Sequence, residues 1–301
     1  MNLVLTGASG FIGSVLSERL SCDGHTLVLL SRTPPADKIL AKKRWLSWQP
    51  GADGEWERSV DGADGIIHHA GEPIAGKRWS MSQKEKLRSS RMETTRALVG
   101  AIRKAKAKPK FLLSSSAVGY YGPHGDETIS EANAPSNNFL GQLCVDWEAE
   151  ANKAIEFGVR VALLRTGIVL GKGKGALAKM VPPFKFFVGG SLGNGKQWFP
   201  WIHLSDHVGL IEFIIKNEKA SGPFNLTAPN PVTMSEFCKA LGKVLHRPSW
   251  APVPAPLLSL MLGEMAEMLL TGQRAVPQAA LSLGYQFKFP TVLHALESLR
   301  L

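Results

Sequence analysis

The first residues of the chain have the types and spacing of a phosphate-binding turn. An apolar run, Leu3-Val4-Leu5, leads into Thr6-Gly7-Ala8-Ser9-Gly10-Phe11-Ile12-Gly13, and apolar residues at helical spacing follow. A strand, turn and helix in this order aim unpaired N–H groups and the positive end of the helix dipole at an anion. Gly7 permits the tight turn, Gly10 lets a pyrophosphate approach the backbone, and Gly13 lets helix and strand pack closely. The spacing G-x-x-G-x-x-G, placed between a strand and a helix, favours a dinucleotide site over a loop that merely needs glycines.

The end of the second predicted strand distinguishes between two dinucleotides. Residues 26–30 form an apolar strand, and Ser31 and Arg32 follow it. At this strand end an acidic residue accepts from the ribose 2′-hydroxyl of NAD, whereas arginine accommodates the 2′-phosphate of NADP. No Asp or Glu occurs between Gly24 and Thr33. Arg32 could be an ordinary surface arginine, but its position favours NADP(H).

Hydroxyl groups follow another apolar strand. The sequence Phe111-Leu-Leu113 runs into Ser114, Ser115 and Ser116, and then reaches Tyr120 and Tyr121. Open α/β sheets bind ligands beyond the carboxyl ends of their strands, so these hydroxyls are candidates for chemistry. Serines in a loop can equally be turn-forming residues.

Metal ligation is not predicted. His68 and His69 are adjacent on a strand and therefore face opposite sides of it. The cysteines, Cys22, Cys144 and Cys238, lie far apart in helical patterns. This spacing argues against a metal cluster or a disulfide framework and indicates a reducing cytoplasm.

The bulk composition is that of a globular protein with an excess of positive charge. Hydrophobic residues make up 44% of the 301 residues, charged residues 20%, and the formal net charge is +10. The basic residues are scattered, which favours solvated faces over a nucleic-acid-binding patch. No apolar run approaches the roughly eighteen residues of a membrane span. The N-terminus leads straight into a strand and leaves no room for a signal peptide. We therefore predict a cytoplasmic protein without nucleic-acid or membrane partners.

The elements that must position these groups alternate between strands and helices. Strands are predicted at residues 3–5, 26–30, 65–69, 111–113 and 159–164, and a long helix spans residues 82–105. Residues 171–201 lack any sustained period, which is typical of a lid or a substrate lobe. Residues 72–79 form a basic loop that could close over a substrate or be simply solvated. The pattern predicts an α/β protein with a doubly wound parallel sheet and a smaller lobe.

With these motifs in place, the sequence resembles the extended short-chain dehydrogenase/reductase superfamily. Within it, the similarity is to epimerase-family proteins labelled cell-division-inhibitor-like nucleotide-sugar epimerases. The shared stretches run nearly the whole length of the chain: Ala70-Gly-Glu-Pro-Ile74, Lys77-Arg-Trp79, Ser90-Arg91, Thr94-Thr95, Ser116-Ala-Val-Gly-Tyr-Tyr-Gly122, Trp147-Glu148, Arg165-Thr-Gly-Ile-Val-Leu-Gly171, Pro200-Trp-Ile-His203, Asp206, Gly222-Pro-Phe-Asn225 and Gly272-Gln-Arg-Ala-Val-Pro277.

The resemblance implies a Rossmann-type sheet that binds NADP(H), with a smaller mixed C-terminal substrate lobe. Residues 1–171 and 203–228 would bind the cofactor, and residues 172–202 and 229–301 would form the small lobe. Because superfamily members often dimerise, the resemblance allows a homodimer. The residues that match cofactor positions are Gly7, Ser9, Gly10, Phe11, Ile12, Gly13, Ser31, Arg32, His69, Ala70, Gly71, Arg91 and Val169.

The family's catalytic pattern is only partly present. Its members use a serine with Tyr-x-x-x-Lys, in which the lysine lowers the pKa of the tyrosine that exchanges a proton. Ser116 matches the serine, but no Tyr-x-x-x-Lys occurs in the chain, and the expected helix offers Phe139 and Leu143. Tyr121 matches a substrate-contacting tyrosine and, with Tyr120, could replace the missing proton donor. Glu72 and Lys77 are further candidates for that role.

Two functions remain open at this stage. The first is an NADP(H)-dependent oxidoreductase or epimerase with a rearranged acid/base, acting on a small anionic or sugar-nucleotide substrate. The second is a non-catalytic NADP(H) sensor, because fold alone does not fix activity. We favour the first because the glycine turn and Ser116 are both present.

Overall fold

A parallel β-sheet forms the centre of the computed structural model, which describes residues 1–37, 39–40, 42–52 and 54–301. The strands of the described chain are β1 (Asn2–Thr6), β2 (Thr26–Ser31), β3 (Ile39–Leu40), β4 (Lys43–Ser47), β5 (Gly65–His68), β6 (Phe111–Ala117), β7 (Thr128–Ile129), β8 (Arg160–Thr166), β9 (Ile168–Gly171), β10 (Trp198–Phe199), β11 (Trp201–His203), β12 (Gly222–Leu226), β13 (Val232–Thr233) and β14 (Arg274–Ala275). The helices are α1 (Phe11–Cys22), α2 (Glu55–Arg58), α3 (Met81–Lys104), α4 (Phe139–Asn152), α5 (Gly175–Lys185), α6 (Leu204–Lys216), α7 (Met234–Leu245), α8 (Ala255–Leu262), α9 (Glu267–Leu270), α10 (Gln278–Ser282) and α11 (Val292–Ser298).

The strand order of the central sheet confirms the doubly wound topology. In the described residues it contains eight strands in the order β12-β8-β6-β5-β1-β2-β4-β3, all parallel except the β3–β4 pair. The chain leaves β1 towards β2 and β4 on one side, and later runs from β5 to β12 on the other. The order in which strands are added to the sheet therefore reverses beside β1. Open α/β sheets bind ligands at such a switch point.

Helices cover both faces of this sheet, which explains why the central strands β1, β5 and β8 are mostly apolar and buried. On one face, Leu16 and Leu20 of α1 share a core with Ile211 of α6. On the other face, Leu98 of α3 and Ala151 of α4 belong to a second core. Alternate side chains of each strand point into one core or the other. The carboxyl edge of the sheet therefore lies between two packed layers of helices.

A third core holds most of the region outside the sheet together. It contains Leu177 and Phe184 of α5, Phe237 of α7 and Leu296 of α11. The expectation that residues 171–201 are irregular is wrong in part, because α5 occupies Gly175–Lys185. Its first residue, Gly175, and its two internal prolines hide the helical period, and burial in this core compensates for their low helix propensity.

The sequence predicts caps at three helices, and the structure agrees at two of them. For α3 it predicts Ser80 or Ser82, and Ser80 is the cap, accepting from Gln83 N. For α7 the motif Thr233-Met-Ser-Glu236 predicts a capping box, which Thr233 and Glu236 form. For α6 it predicts Ser205, but the cap is His203, whose Nδ1 accepts from Ser205 N at 3.1 Å. An imidazole nitrogen with a free lone pair serves here as well as a hydroxyl.

Membrane spans and metal clusters were searched for in the part of the chain that the structure describes. No helix there is long and apolar enough to cross a bilayer. In the same residues no group of three or more His, Cys, Asp or Glu side chains could hold a metal ion. The cysteines are free, with Cys144 and Cys238 buried and Cys22 exposed.

Candidate functional site

The glycine turn between β1 and α1 is packed too tightly for any side chain. Gly7 has φ of +72°, and an added Cβ there would lie 2.7 Å from the carbonyl carbon of His69. A Cβ on Gly13 would lie 2.2 Å from the carbonyl oxygen of Gly7. Two of the three glycines therefore let the turn press against β5 and against its own helix.

The N-terminus of α1 is built to receive an anion. Gly10 is its N-cap and has no side chain to cap the helix, and the first intrahelical bond runs from Ser14 N to Gly10 O at 3.0 Å. The N–H groups of Phe11, Ile12 and Gly13 therefore have no acceptor within the helix. They face the same edge of the sheet as the exposed Ser9. Together with the helix dipole, they form a site for a phosphate group.

Ser31 and Arg32 stand at the neighbouring strand end. Ser31 pairs in register with Ser47 of β4, and its hydroxyl accepts from Thr33 N at 3.2 Å. Arg32 follows as an exposed residue. An exposed guanidinium beside a phosphate-binding turn is suited to bidentate recognition of a second phosphate.

The end of β5 is tied to the glycine turn through Thr6 of β1. The Thr6 hydroxyl accepts from the backbone N–H groups of His69 and Ala70, both at 3.1 Å. Its own hydrogen is then donated to His68 Nδ1 at 2.7 Å. Nε2 of His68 therefore carries the proton and donates to Thr95 Oγ1 at 3.1 Å. Burial lowers the pKa of His68 to about 3, so this link is neutral.

The predicted residues after β5 lie beside Arg91 of α3. Arg91 donates to the carbonyl oxygen of Glu72 at 3.2 Å, and a Cβ on Gly71 would lie 3.5 Å from its guanidinium carbon. It also stacks on the ring of Trp147 with the guanidinium carbon 5.0 Å from the centroid. Burial lowers the pKa of Arg91. Arg91 thus fixes the loop that includes Ala70 and Gly71.

His69 belongs to a polar cluster on the α6 side of the sheet. Its Nδ1 is hydrogen-bonded to the Ser115 hydroxyl, and its ring lies 6.2 Å from that of His207. His207 Nε2 is bonded to Thr166 at 3.2 Å. Burial lowers the pKa of His69 to about 4 and that of His207 to about 3, so both imidazoles are neutral. His69 Nε2 and His207 Nδ1 are buried and lack a hydrogen-bond partner within the described structure.

Val169 reaches the site through Phe11. It lies in β9, belongs to the same core as Phe11, and its carbonyl oxygen faces Gly175. A Cβ on Gly171 would lie 2.6 Å from the Phe11 ring. Phe11, the first residue of α1, is therefore enclosed by β9 and by the start of α5.

Ser116 is part of a buried ion-pair network. Its hydroxyl donates to Glu148 Oε1 at 2.6 Å. Arg165 donates to both oxygens of the same carboxylate, from Nε and Nη2, each at 2.8 Å. Burial alone would lower the pKa of Arg165, but the hydrogen bonds and charge of Glu148 raise it above its ordinary value. The side chains of Arg165 and Glu148 are only 4% and 7% exposed.

The two tyrosines next to Ser116 differ sharply. Tyr121 is 1% exposed, accepts from Arg165 Nη1 at 2.9 Å, and donates to Asn225 Oδ1 at 2.7 Å. Burial raises its pKa to about 12. This geometry is at odds with the expectation that Tyr121 donates a proton, because its hydrogen is already engaged. Tyr120 is half-buried, and the Arg165 guanidinium lies 3.5 Å from its ring centroid.

The helix opposite Ser116 is α4, in which the resemblance places Phe139 and Leu143 at the positions of the missing tyrosine and lysine. Phe139 packs against Trp79, with ring centroids 5.4 Å apart, instead of facing Ser116. The residues on the facing side are Leu140, Cys144 and Glu148, at spacings of four. Burial raises the pKa of Cys144 to about 11. Glu148 is thus the acidic side chain that contacts Ser116.

The basic loop of residues 72–79 is held in place at several points. Lys179 of α5 donates to Ala75 O at 3.2 Å, and Trp79 Nε1 donates to Ile74 O at 2.9 Å. An ion pair between Lys84 and Glu264 ties the start of α3 to the C-terminal segment. Lys77 remains exposed on this loop, while Glu72 is partly buried. The loop is therefore tied to α5, and the helix that follows it is tied to the C-terminal segment.

Sequence reasoning missed four residues of the site: Glu148, Arg165, Asn225 and His207. Arg165 and Asn225 follow apolar strand residues at the carboxyl edge, and they pair in register across β8 and β12. This position was a signal that could have identified both. Glu148 and His207 are helical, and no local pattern marks them as facing the sheet.

Comparison with known proteins agrees with this architecture. A family model described as the NAD dependent epimerase/dehydratase family matches residues 3–227. A second one, described as a domain of unknown function (DUF1731), matches residues 253–299.

Similar proteins occur in plants, bacteria and humans. The chain is 42% identical to an Arabidopsis thaliana protein named Epimerase family protein SDR39U1 homolog, chloroplastic, covering 99% of this chain and 86% of that protein. It is 40% identical to the Bacillus subtilis Epimerase family protein YfhF, covering 99% and 98%. The crystal structure of human epimerase family protein SDR39U1 (isoform 2) with NADPH superposes with a TM-score of 0.90 at 32% identity, covering 100% of this chain and 99% of that one.

Proposed function

Because the chain belongs to the NAD dependent epimerase/dehydratase family, we propose that it binds NADP(H) and acts as an oxidoreductase or epimerase on a small anionic or sugar-nucleotide substrate. Residues 1–171 and 203–228 would hold the cofactor, and residues 172–202 and 229–301 would form the substrate lobe. The human relative that was crystallised with NADPH supports the choice of cofactor.

The observation that carries this proposal is the fit of the glycine turn to a pyrophosphate. Gly10 leaves the first N–H groups of α1 unshielded, and Gly7 and Gly13 hold the turn against the sheet. Arg32 is exposed at the next strand end, where a ribose 2′-phosphate would lie. The remaining predicted cofactor residues, His69, Ala70, Gly71, Arg91 and Val169, would line the same site.

The residues near Ser116 suggest how the chain handles a proton. When bound, NADP(H) supplies or accepts hydride at its nicotinamide. Because Ser116 donates its hydrogen to Glu148, its oxygen presents lone pairs to a substrate hydroxyl. Tyr120 replaces Tyr121 as the candidate proton donor, and Tyr121 positions Arg165 instead. Lys77 and Arg78, both exposed on the basic loop, favour an anionic substrate.

The test is a fluorescence titration of NADPH and NADH into the wild type and Arg32→Ala. We expect tight NADPH binding that falls roughly ten- to a hundredfold in Arg32→Ala, since a charge-assisted phosphate contact is lost. NADH binding should be weak and unchanged by the substitution. Lys42→Ala, an exposed cation near the same strands, is the matched control. Equal affinity of the wild type for both cofactors would contradict the proposal.

A non-catalytic NADP(H) sensor is the second candidate. It is favoured by the residues of α4 that face Ser116, because Leu140 and the high-pKa thiol of Cys144 do not exchange protons at neutral pH. A screen of carbonyl and hydroxyl compounds with NADPH and NADP⁺ separates the two. Turnover that is lost in Ser116→Ala while NADPH affinity is kept assigns an enzyme. Binding without any turnover assigns a sensor.

A further inference from the structure

An exposed apolar surface directly follows helix α5 in the sequence. Phe186, Phe187 and Val188 are 77%, 54% and 53% exposed, and Trp250 beside them is 67% exposed. Trp250 Nε1 donates to Phe187 O at 2.9 Å, which joins the two segments. We call these four residues the aromatic turn. Contiguous exposed aromatic residues on a globular protein usually mark an interaction surface.

The aromatic turn is held in its exposed position by the backbone. Phe187 N donates to Phe184 O at 2.9 Å and Val188 N donates to Pro183 O at 3.0 Å. Phe184 itself is buried in the core of the small lobe. Phe187 has φ of +63°, a conformation that favours glycine and is strained for a bulky aromatic residue. Strain and exposure both disfavour phenylalanine here in the isolated protein, which indicates a function for the side chain.

The two segments that supply the aromatic turn carry no acidic residue. No Asp or Glu occurs between Glu156 and Asp206, or between Glu236 and Glu264. Lys185 precedes Phe186 directly, and the Arg247 guanidinium carbon lies 4.5 Å from the Phe187 ring centroid. The cations that contact or adjoin the aromatic turn are therefore Lys185 and Arg247.

From these observations we propose that the aromatic turn docks the protein on an anionic lipid surface. Phe186 and Phe187 offer exposed apolar rings to the headgroup layer, and Trp250 has the amphipathic ring that prefers the interface. Lys185 and Arg247 flank them and are placed to contact lipid phosphates. Contact of this kind needs no spanning helix, and the described helices contain none. This proposal is independent of the function proposed above, and it replaces the sequence-based expectation that the protein has no membrane partner.

The experiment measures co-sedimentation of the full chain with vesicles. Phosphatidylcholine vesicles are compared with vesicles of equal parts phosphatidylcholine and phosphatidylglycerol, at low and high salt. We expect the wild type to bind the anionic vesicles only, and to be released by salt. Phe186→Ser/Trp250→Ser should bind at least roughly tenfold more weakly. The matched control is Leu260→Ser/Met261→Ser, whose side chains are 75% and 63% exposed but lie next to the acidic Glu264. The control should bind like the wild type.

A second variant separates docking from folding. Phe187→Gly suits the φ of +63° better than phenylalanine does. We expect its urea unfolding midpoint to equal or exceed that of the wild type while its vesicle binding falls. If Phe187 has a merely structural role, its replacement by glycine should lower the urea unfolding midpoint and leave vesicle binding unchanged.

Several outcomes would overturn the proposal. The proposal is wrong if the wild type does not bind anionic vesicles. It is also wrong if Phe186→Ser/Trp250→Ser binds them as well as the wild type, because the attraction would then be diffuse and electrostatic only. A concentration-dependent dimer in light scattering, lost in that double variant and unaccompanied by vesicle binding, would assign the aromatic turn to a second copy of the chain.

Discussion

The two halves of the sheet's carboxyl edge are formed by different chemical groups. At the ends of β1 and β2, the site consists of backbone N–H groups, glycines without room for a Cβ, and an exposed arginine. At the ends of β6, β8 and β12, it consists of buried side chains joined in one hydrogen-bonded network around Arg165. The first half depends on the shape of the main chain, whereas the second depends on exact partners between side chains.

This difference has a consequence for how each half responds to substitution. A backbone site tolerates changes in side-chain chemistry but not in volume. A buried network tolerates changes in volume better than the loss of one charged partner, because the remaining charge is left without compensation. The four predictions that follow test this contrast.

The largest effect is expected for Arg165→Met. The substitution leaves Glu148 buried without its cation, and we expect the free energy of unfolding to fall by about 3–5 kcal/mol. Glu148→Leu/Arg165→Met should recover most of this loss, because neither charge remains. Urea denaturation measures both variants. A loss below about 1 kcal/mol for Arg165→Met would mean that the network is not a buried ion pair in solution.

Gly13→Ala should have the next largest effect. The added Cβ would lie 2.2 Å from the carbonyl oxygen of Gly7, so α1 must move away from the turn. We expect a loss of about 3 kcal/mol in stability, together with weaker NADPH binding, from the same denaturation and titration measurements. Gly100→Ala in α3 is the control, since its Cβ would meet nothing within 4 Å. That variant should be more stable than the wild type by up to about 1 kcal/mol.

Because the buried histidines are neutral in the folded protein, we expect the free energy of unfolding to fall in acid. The pKa of His68 is about 3 in the folded protein, against an ordinary value of 6.5, so the unfolded chain binds more protons between these values. The stabilisation is fully present above pH 6.5 and is lost as the pH falls towards 3. His68 alone should contribute a slope of up to about 1.4 kcal/mol per pH unit.

Denaturation midpoints between pH 7 and pH 4.5 would reveal this slope. His69 and His207 act in the same direction. His68→Gln should flatten the profile, while His246→Gln, on the surface, should leave it unchanged. A profile that His68→Gln does not alter would show that the histidine is not kept neutral by burial.

Ser116→Ala is expected to have the smallest effect on stability. Glu148 keeps both hydrogen bonds from Arg165, so only the bond of 2.6 Å from the serine is lost. We expect a loss of about 1.5 kcal/mol and an unchanged NADPH affinity. A drop in NADPH affinity would place Ser116 in the backbone half of the edge and weaken the contrast.

The sequence was informative where one short segment contains the whole pattern. The turn from Gly7 to Gly13, the N-cap at Ser80 and the capping box at Thr233 are local, and the structure confirms each as an element. The strand-end positions of Arg165 and Asn225 are visible in the sequence, but their contacts with Glu148 and Ser116 could not be predicted, because they depend on the sheet register and on the rotation of α4. Successive residues of a helix point about 100° apart. The resemblance puts Phe139 and Leu143 at the Tyr-x-x-x-Lys positions, one residue before Leu140 and Cys144, which lie on the side of Ser116.

The hydrogen bonds that link Thr6 to His68 continue to Thr95, where they bear on the exchange of the Trp147 indole proton with solvent. Thr95 accepts from both His68 and the indole N–H of Trp147, and donates to Arg91 O at 2.7 Å. All its hydrogen-bonding capacity is therefore used in a site that joins β1, β5, α3 and α4. The Trp147 indole proton can reach water only when these four elements separate. Its deuterium exchange rate, followed as a single NMR resonance, should consequently report the opening of the whole sheet domain.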